Sequence, residues 1–248
     1  MSGLELYNAG VSTCSQRVRF VLAHKQLSYV DKRIRLEQGE HLTPEYLAIN
    51  PNGLVPTLVH DGKSIIDSTV INEYLDELFP EVALVPKDAY ERAQMRAWVQ
   101  YLDEVMTPAI RYPSFQKFFG GGLRAMAPEQ RQAFASRLPL RKHFALEVGP
   151  EGFPQNKLDD AMERIEQSLQ RMEGALGKTQ WIAYDELTLA DIAMMPSIVR
   201  LEDLGLSSLW ADLPRLCAWY ARLQKLPAFA AAYSAGSRLG VELGETGA

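Results

Sequence analysis

Asn50-Pro51-Asn52-Gly53-Leu54-Val55-Pro56-Thr57-Leu58-Val59-His60-Asp61-Gly62-Lys63-Ser64-Ile65-Ile66-Asp67-Ser68 is the stretch whose reading decides the fold. It opens on a turn cluster, Asn50 to Gly53. Val55–Val59 and Lys63–Ile66 are β-rich runs, and the Asp61-Gly62 between them is a strong short-range hairpin signal. From Asp67 to Phe79 the apolar period becomes helical, with Val70, Ile71, Tyr74, Leu75 and Leu78 on one side.

Upstream, Leu4–Tyr7 predicts a short strand ended by Asn8-Ala9-Gly10. Ser15–Gln26 predicts a helix carrying Val18, Val21 and Leu22, with Arg17 and Lys25 on other faces. Leu27–Leu36 reads as a second strand and Thr43–Ile49 as a short capped helix. The order β-α-β-α-β-β-α matches a thioredoxin-like layout, in which the closing hairpin puts an antiparallel strand on a partly parallel sheet.

Downstream of Phe79-Pro80 the strand signals stop, and Val85-Pro86-Lys87-Asp88 reads as a linker. Leu158, Met162, Ile165, Leu169, Met172 and Leu176 form the single apolar seam of an amphipathic helix. Thr188-Leu189-Ala190-Asp191 has the spacing of a capping box, and Pro214 and Pro227 open two further helices. Residues 111–156, with Gly120-Gly121-Gly122 and a turn-rich break from Gly149 to Pro154, read as an extended insertion between helices. The expected class is therefore α/β plus all-α, with an α/β domain over 1–84 and an all-helical domain over 85–248.

Composition narrows the function. Of 248 residues, 47% are hydrophobic and 23% charged, the values of an ordinary globular chain. Lys and Arg number 26 against 31 Asp and Glu, a net −5 without a basic stripe, which argues against nucleic acid as a partner. Cys14 and Cys217 lie far apart, so neither a disulfide framework nor a metal site is expected. The opening residues MSGLELYNAG lack the basic and apolar regions of a signal peptide, and no run is long enough to span a bilayer. A cytoplasmic location is expected.

Three segments carry chemistry. Ser12-Thr13-Cys14-Ser15-Gln16-Arg17 lies where strand gives way to helix; unpaired N–H groups and a partial positive charge there favour a thiolate, and a hydroxyl can donate to its sulfur. Thr13 and Gln16 also have the spacing of a plain capping box. At Val55-Pro56 a cis bond would free the Val55 backbone for an extended peptide, whereas a trans bond makes Pro56 an ordinary turn proline. Asp67-Ser68 caps a helix; the Ser68 hydroxyl and the helix start suit a ligand carboxylate, and Asp67 an ammonium.

Taken in order with Leu187-Thr188-Leu189-Ala190-Asp191-Ile192, these motifs resemble the glutathione transferase superfamily over nearly the whole chain. The resemblance implies a thioredoxin-like domain binding glutathione, a cis bond at Pro56, a helical second domain, a homodimer and a structural role for Thr188 and Asp191. By the same resemblance Ser12 matches the thiol-activating serine of zeta- and theta-like classes, and Val55 the residue whose backbone pairs with the cysteinyl unit. Asp67 and Ser68 match the γ-glutamyl binders, and His41 falls near a polar residue that contacts the glycine carboxylate. Ser12-Thr13-Cys14-Ser15 is similar to maleylacetoacetate isomerases and hydroquinone reductive dehalogenases, in which the cysteine takes part in chemistry. Asn50–Glu81, Ala93–Trp98 and Gly152–Gln155 are more similar to bacterial β-aryl etherases of the Nu-related group, whose activating serine aligns with Ser15.

The implied activity is attack of glutathione thiolate on a small apolar electrophile, including cleavage of an aryl ether. Candidate catalytic residues are Ser12, Ser15 and Cys14; His41, Val55, Pro56, Asp67 and Ser68 are the candidate glutathione ligands. Tyr7, Val11, Tyr112, Phe115, Phe118 and Phe119 are candidate walls for the second substrate. Two alternatives accompany this reading: a redox enzyme, dehalogenase or isomerase using Cys14, and a glutathione-binding protein without catalysis.

Overall fold

The computed structural model describes residues 3–240; the last residues of the expected second domain, 241–248, lie outside them. Strand β1 (Leu4–Asn8) alternates buried and half-buried residues, sending Leu4, Leu6 and Asn8 to one face and Glu5 and Tyr7 to the other. β2 (Val30–Arg33) pairs parallel to β1, β3 (Thr57–His60) pairs antiparallel on its other side, and β4 (Lys63–Ile66) closes the order β2-β1-β3-β4. The turn between β3 and β4 takes φ 48° at Asp61 and 78° at Gly62, the doubly left-handed backbone that Asp-Gly tolerates and most pairs do not.

Helices α1 (Thr13–His24) and α3 (Ser68–Leu78) pack together, α3 also touching β3 and β4. Tyr46 of α2 (Pro44–Ile49) meets Tyr7 across 6.2 Å, so α2 covers the face of the sheet that carries Tyr7. The order and sheet are those expected; the predicted second strand is shorter at both ends than Leu27–Leu36.

The linker is not slack. Lys25 pairs with Asp76 at 2.7 Å and donates to the carbonyls of Phe79 and Val82, while the Asp76 carboxylate accepts from the Leu84 and Val85 amides. A buried ammonium needs partners of this kind, since an unpaired one would cost several kcal/mol, on the order of a domain's whole margin.

Beyond the linker run α4 (Ala89–Tyr101) and α5 (Thr107–Ser114), joined by a π-turn over Leu102–Met106. Pro108 has no N–H for the preceding turn and its ring crowds the carbonyl four residues back; the wider turn relieves both. A second π-turn, Phe115–Phe119, ends at Gly120, where a Cβ would sit 2.5 Å from the Phe115 carbonyl oxygen. Only glycine fits there.

The expected extended insertion is instead folded. It forms α6 (Gly121–Ala125), α7 (Pro128–Ala135) and α8 (Lys142–Leu146) around a small core of Leu123, Ala135, Ala145, Val148 and Phe153. Local periodicity is weak in helices this short, so their order comes from shared burial.

The remaining helices are α9 (Gln155–Ala175), α10 (Leu189–Asp203), α11 (Pro214–Gln224) and α12 (Pro227–Ala232). Ile165, Leu169, Met172 and Leu176 of the predicted seam are buried. Residues 189–201 of α10 are buried without exception, and α10 and α12 pack on α1, so one hydrophobic core runs from the sheet into the helical part. At the start of α10 the capping box forms: the Asp191 carboxylate accepts from Thr188 N–H at 3.0 Å, Ile182 N–H at 2.8 Å and Trp219 Nε1–H at 2.8 Å. Burial raises the Asp191 pKa, and those donors oppose the rise. Asp191→Ala should lower the unfolding free energy by about 3–5 kcal/mol by stranding three buried donors, against about 1 kcal/mol for Thr188→Ala. Denaturant titration of both variants checks the ranking.

Candidate functional site

Sheet register brings the three chemical segments together. Tyr7 pairs with Thr57 and Thr57 with Ile66, so the loop after β1, the Val55-Pro56 segment before β3 and Asp67-Ser68 after β4 leave the sheet at one end. They are distant in sequence but share one end of the sheet.

In the first segment Ser12, not Thr13, caps α1; its Oγ accepts from the Ser15 N–H at 3.3 Å, which leaves its own proton to donate. Ser12 and Cys14 are half-buried, whereas Ser15 is fully buried and its Oγ accepts from the Ala9 N–H at 3.3 Å. The Ser15 hydroxyl is turned into the protein. Of the two candidate serines, Ser12 is the one on the accessible lip.

The Val55–Pro56 peptide is cis. Among the described residues neither the N–H nor the C=O of half-buried Val55 has a backbone partner. The preceding turn is held from beneath: Asn50 Nδ2 donates to the Leu54 carbonyl at 2.7 Å and to Thr57 Oγ1 at 2.9 Å, and Tyr46 Oη donates to the same carbonyl at 2.6 Å. Asn50 is thus a positioning residue that the turn signal alone did not reveal. His41 is half-buried, and its Nδ1 is sealed from solvent without a hydrogen-bond partner among the described residues.

Asp67 caps α3 with φ 73°, a left-handed backbone unusual for a residue with a side chain, and accepts from Thr69 N–H at 3.1 Å. Ser68 is nearly enclosed; its Oγ accepts from Arg17 Nη1 at 3.2 Å, leaving the hydroxyl proton to donate. Arg17, expected on another face of its helix, is buried and also reaches Thr107 Oγ1 at 3.0 Å and Asp103 at 3.5 Å. It brings a fixed positive charge beneath the α3 N-terminus, where a carboxylate gains from both.

The helical part supplies the opposite wall. Arg111, Arg141 and Arg200 lie within electrostatic reach of the Cys14 sulfur, and an Arg200 Nη2–H donates to the Val11 carbonyl. No local pattern marks these arginines; only the fold assembles them. Of the candidate wall residues, Phe119 lies under Arg200, while Tyr112 is tied to Glu147 at 2.9 Å and packs with Phe144 and Phe153 in the core of the insertion. Tyr7 donates to Glu5, on the opposite sheet face from α1.

A thioredoxin-like sheet with this site, backed by a helical bundle, defines the class, and comparison with known proteins gives the family. Residues 11–78 match the glutathione S-transferase N-terminal domain and 135–227 its C-terminal domain. The chain is 30% identical to a maleylacetoacetate isomerase of Pseudomonas aeruginosa over 94% of its length and 93% of the relative's. It is 29% identical to the protein LigF of Sphingobium sp., covering 91% of each. The crystal structure of beta-etherase LigF from Sphingobium superposes with a TM-score of 0.84 at 28% identity, over 93% of this chain and 98% of that one. Glutathione transferase F7 of Populus trichocarpa gives 0.76 at 27% identity, over 95% and 100%. The chain belongs to the glutathione S-transferase family, whose co-substrate is glutathione.

Burial, then Arg141 and Arg137, hold the His41 pKa below its usual 6.5. The unfolded chain, with an imidazole titrating near the usual value, then binds more protons as pH falls, so stability present above that value is lost below it. Melting temperature should fall between about pH 7.5 and about pH 5, and His41→Gln should remove part of the fall. Parallel curves for the two proteins would exclude the effect.

Proposed function

We propose that the chain is a transferase that activates the thiol of glutathione for attack on an aromatic electrophile, an aryl ether among the acceptors. One observation carries the reading: the Ser12 hydroxyl, the unpaired Val55 backbone and the Ser68 helix start all leave the sheet at the same end. Ser12 and the first amides of α1 stabilise the thiolate, Val55 pairs with the cysteinyl unit through N–H and C=O, and Ser68 above Arg17 takes the γ-glutamyl carboxylate. Asp67 is the anion for the adjacent ammonium, and His41 lies toward the glycine end. Residues 1–84 hold glutathione in this reading and 85–248 shape the acceptor site. The similarity to LigF supports an ether as acceptor.

Fixing sulfur and acceptor together replaces a bimolecular encounter by an oriented one, and lowering the thiol pKa by one unit corresponds to about 1.4 kcal/mol. The homodimer belongs to the same reading: Val70 on α3 and Tyr90 on α4 remain 55% and 72% exposed, apolar surface available to a second copy. The two free, half-buried cysteines fit a reducing, cytoplasmic setting. Among the described residues no helix is long and apolar enough to cross a membrane.

A second reading, in which Cys14 takes part in chemistry as in an isomerase, is supported by the arginines around its sulfur and by the isomerase relative. Ser12→Ala should raise the pKa of bound glutathione by about one unit and lower kcat/KM about tenfold near neutrality, read from thiolate absorbance and pH–rate profiles. Cys14→Ser should keep most of the turnover. Loss of turnover with glutathione still bound in Cys14→Ser would replace the first reading by the second.

A further inference from the structure

Arg111 on α5 and Arg141, just before α8, are half-buried, and among the described residues neither has an acidic partner. Arg111 lies over Phe144, three residues beyond Arg141, and the rings of Phe144, Phe115 and Phe119 run on in contact to Arg200, which bonds the Val11 carbonyl beside the Cys14 turn; both Arg111 and Arg141 act electrostatically on the Cys14 sulfur. Burial, then Arg141, pulls the Arg111 pKa down to about 10, so the guanidinium still carries its charge at neutral pH. Arg200 closes the group from α10, but its charge is shared with the Val11 carbonyl and with Asp203 at 4.0 Å. Two like charges brought together without a counterion disfavour the folded state unless an anion enters between them.

Aromatic rings accompany the charges. The Arg111 guanidinium lies 5.5 Å from the Phe144 ring centre, and that of Arg200 lies 5.4 Å from Phe119. Glutathione's own carboxylates have other destinations in the reading above: the γ-glutamyl group at Ser68 and Arg17, the glycine group toward His41. Arg137 and Arg141 act on His41, while Arg111, over the Phe144 ring, acts on the Cys14 sulfur.

We infer that the acceptor carries a carboxylate on an aromatic body, the carboxylate lying between Arg111 and Arg141 and the ring near Phe119 and Phe144. The inference rests on the transferase reading and adds a charge to the small apolar electrophile expected from the sequence. A guanidinium pair binds a carboxylate through parallel N–H donors, and among such rings gains specificity that an apolar pocket lacks.

The test uses a chlorodinitrobenzoate and its methyl ester, which share one reaction. The glutathione thiolate attacks the ring carbon bearing chlorine, a C–S bond forms, and chloride leaves with the C–Cl bonding pair; the thiol proton goes to solvent. After division by the uncatalysed rates, kcat/KM should favour the acid by about tenfold, a difference of about 1.4 kcal/mol. Arg111→Gln and Arg141→Gln should each erase most of that ratio, and Arg111→Lys should restore part of it. A ratio near one in the unaltered protein, or a ratio unmoved by both Gln variants while only the KM for glutathione rises, overturns the inference. Calorimetry with the two glutathione–aryl conjugates separates the readings. If neither acceptor turns over but the acid conjugate binds more tightly, and Arg111→Gln abolishes that preference, the carboxylate site stands and the transferase reading falls. Equal binding of the conjugates removes the carboxylate site whatever the turnover.

Discussion

Burial of two guanidiniums in one short helix is the constraint on which the rest of the molecule depends. Arg17 and Arg19 project from α1 into the protein and are 1% and 2% exposed. Desolvating such a charge is expensive unless its donors find acceptors, so each arginine dictates what must stand around it. Arg19 requires the Asn8 side chain, the Ala9 and Gly10 carbonyls and the Ala232 carbonyl; Arg17 requires Ser68, Thr107 and Asp103. The first set fixes the loop that leads into Ser12. The second fixes the start of α3 against the helical bundle.

The same economy explains why the site is shared by both halves of the chain. The sheet alone presents three loops with unpaired backbone and hydroxyl groups; it has few charges of its own at that end. Positive charge comes from the bundle, through Arg111, Arg141 and Arg200, and from Arg17 beneath. Because α10 is buried along almost its whole length and anchored by the Asp191 carboxylate, Arg200 reaches Val11 from a rigid support.

The chain is similar to two kinds of protein at once. Over nearly its whole length the chain is 30% identical to an isomerase and 29% identical to LigF, and the LigF structure superposes with a TM-score of 0.84.

What the sequence by itself determined is what short-range physics controls. The Asp61-Gly62 hairpin, the caps at Thr43, Asp67 and Thr188 and the seam of α9 depend on neighbours two to four residues away, and each was legible. Family resemblance added the cis bond at Pro56. Tertiary structure alone decided that Ser15 turns inward while Ser12 stays accessible, since the sequence places both hydroxyls at the same strand-to-helix junction. It alone buried Arg17 and Lys25, folded the insertion and gathered the arginines at Cys14. The buried Arg17 and the Arg200 contact join residues 51 and 189 positions apart, Arg17 with Ser68 and Val11 with Arg200. A charge at helical spacing looks the same on paper whether water or a distant carbonyl will receive it, because the acceptor belongs to another part of the chain.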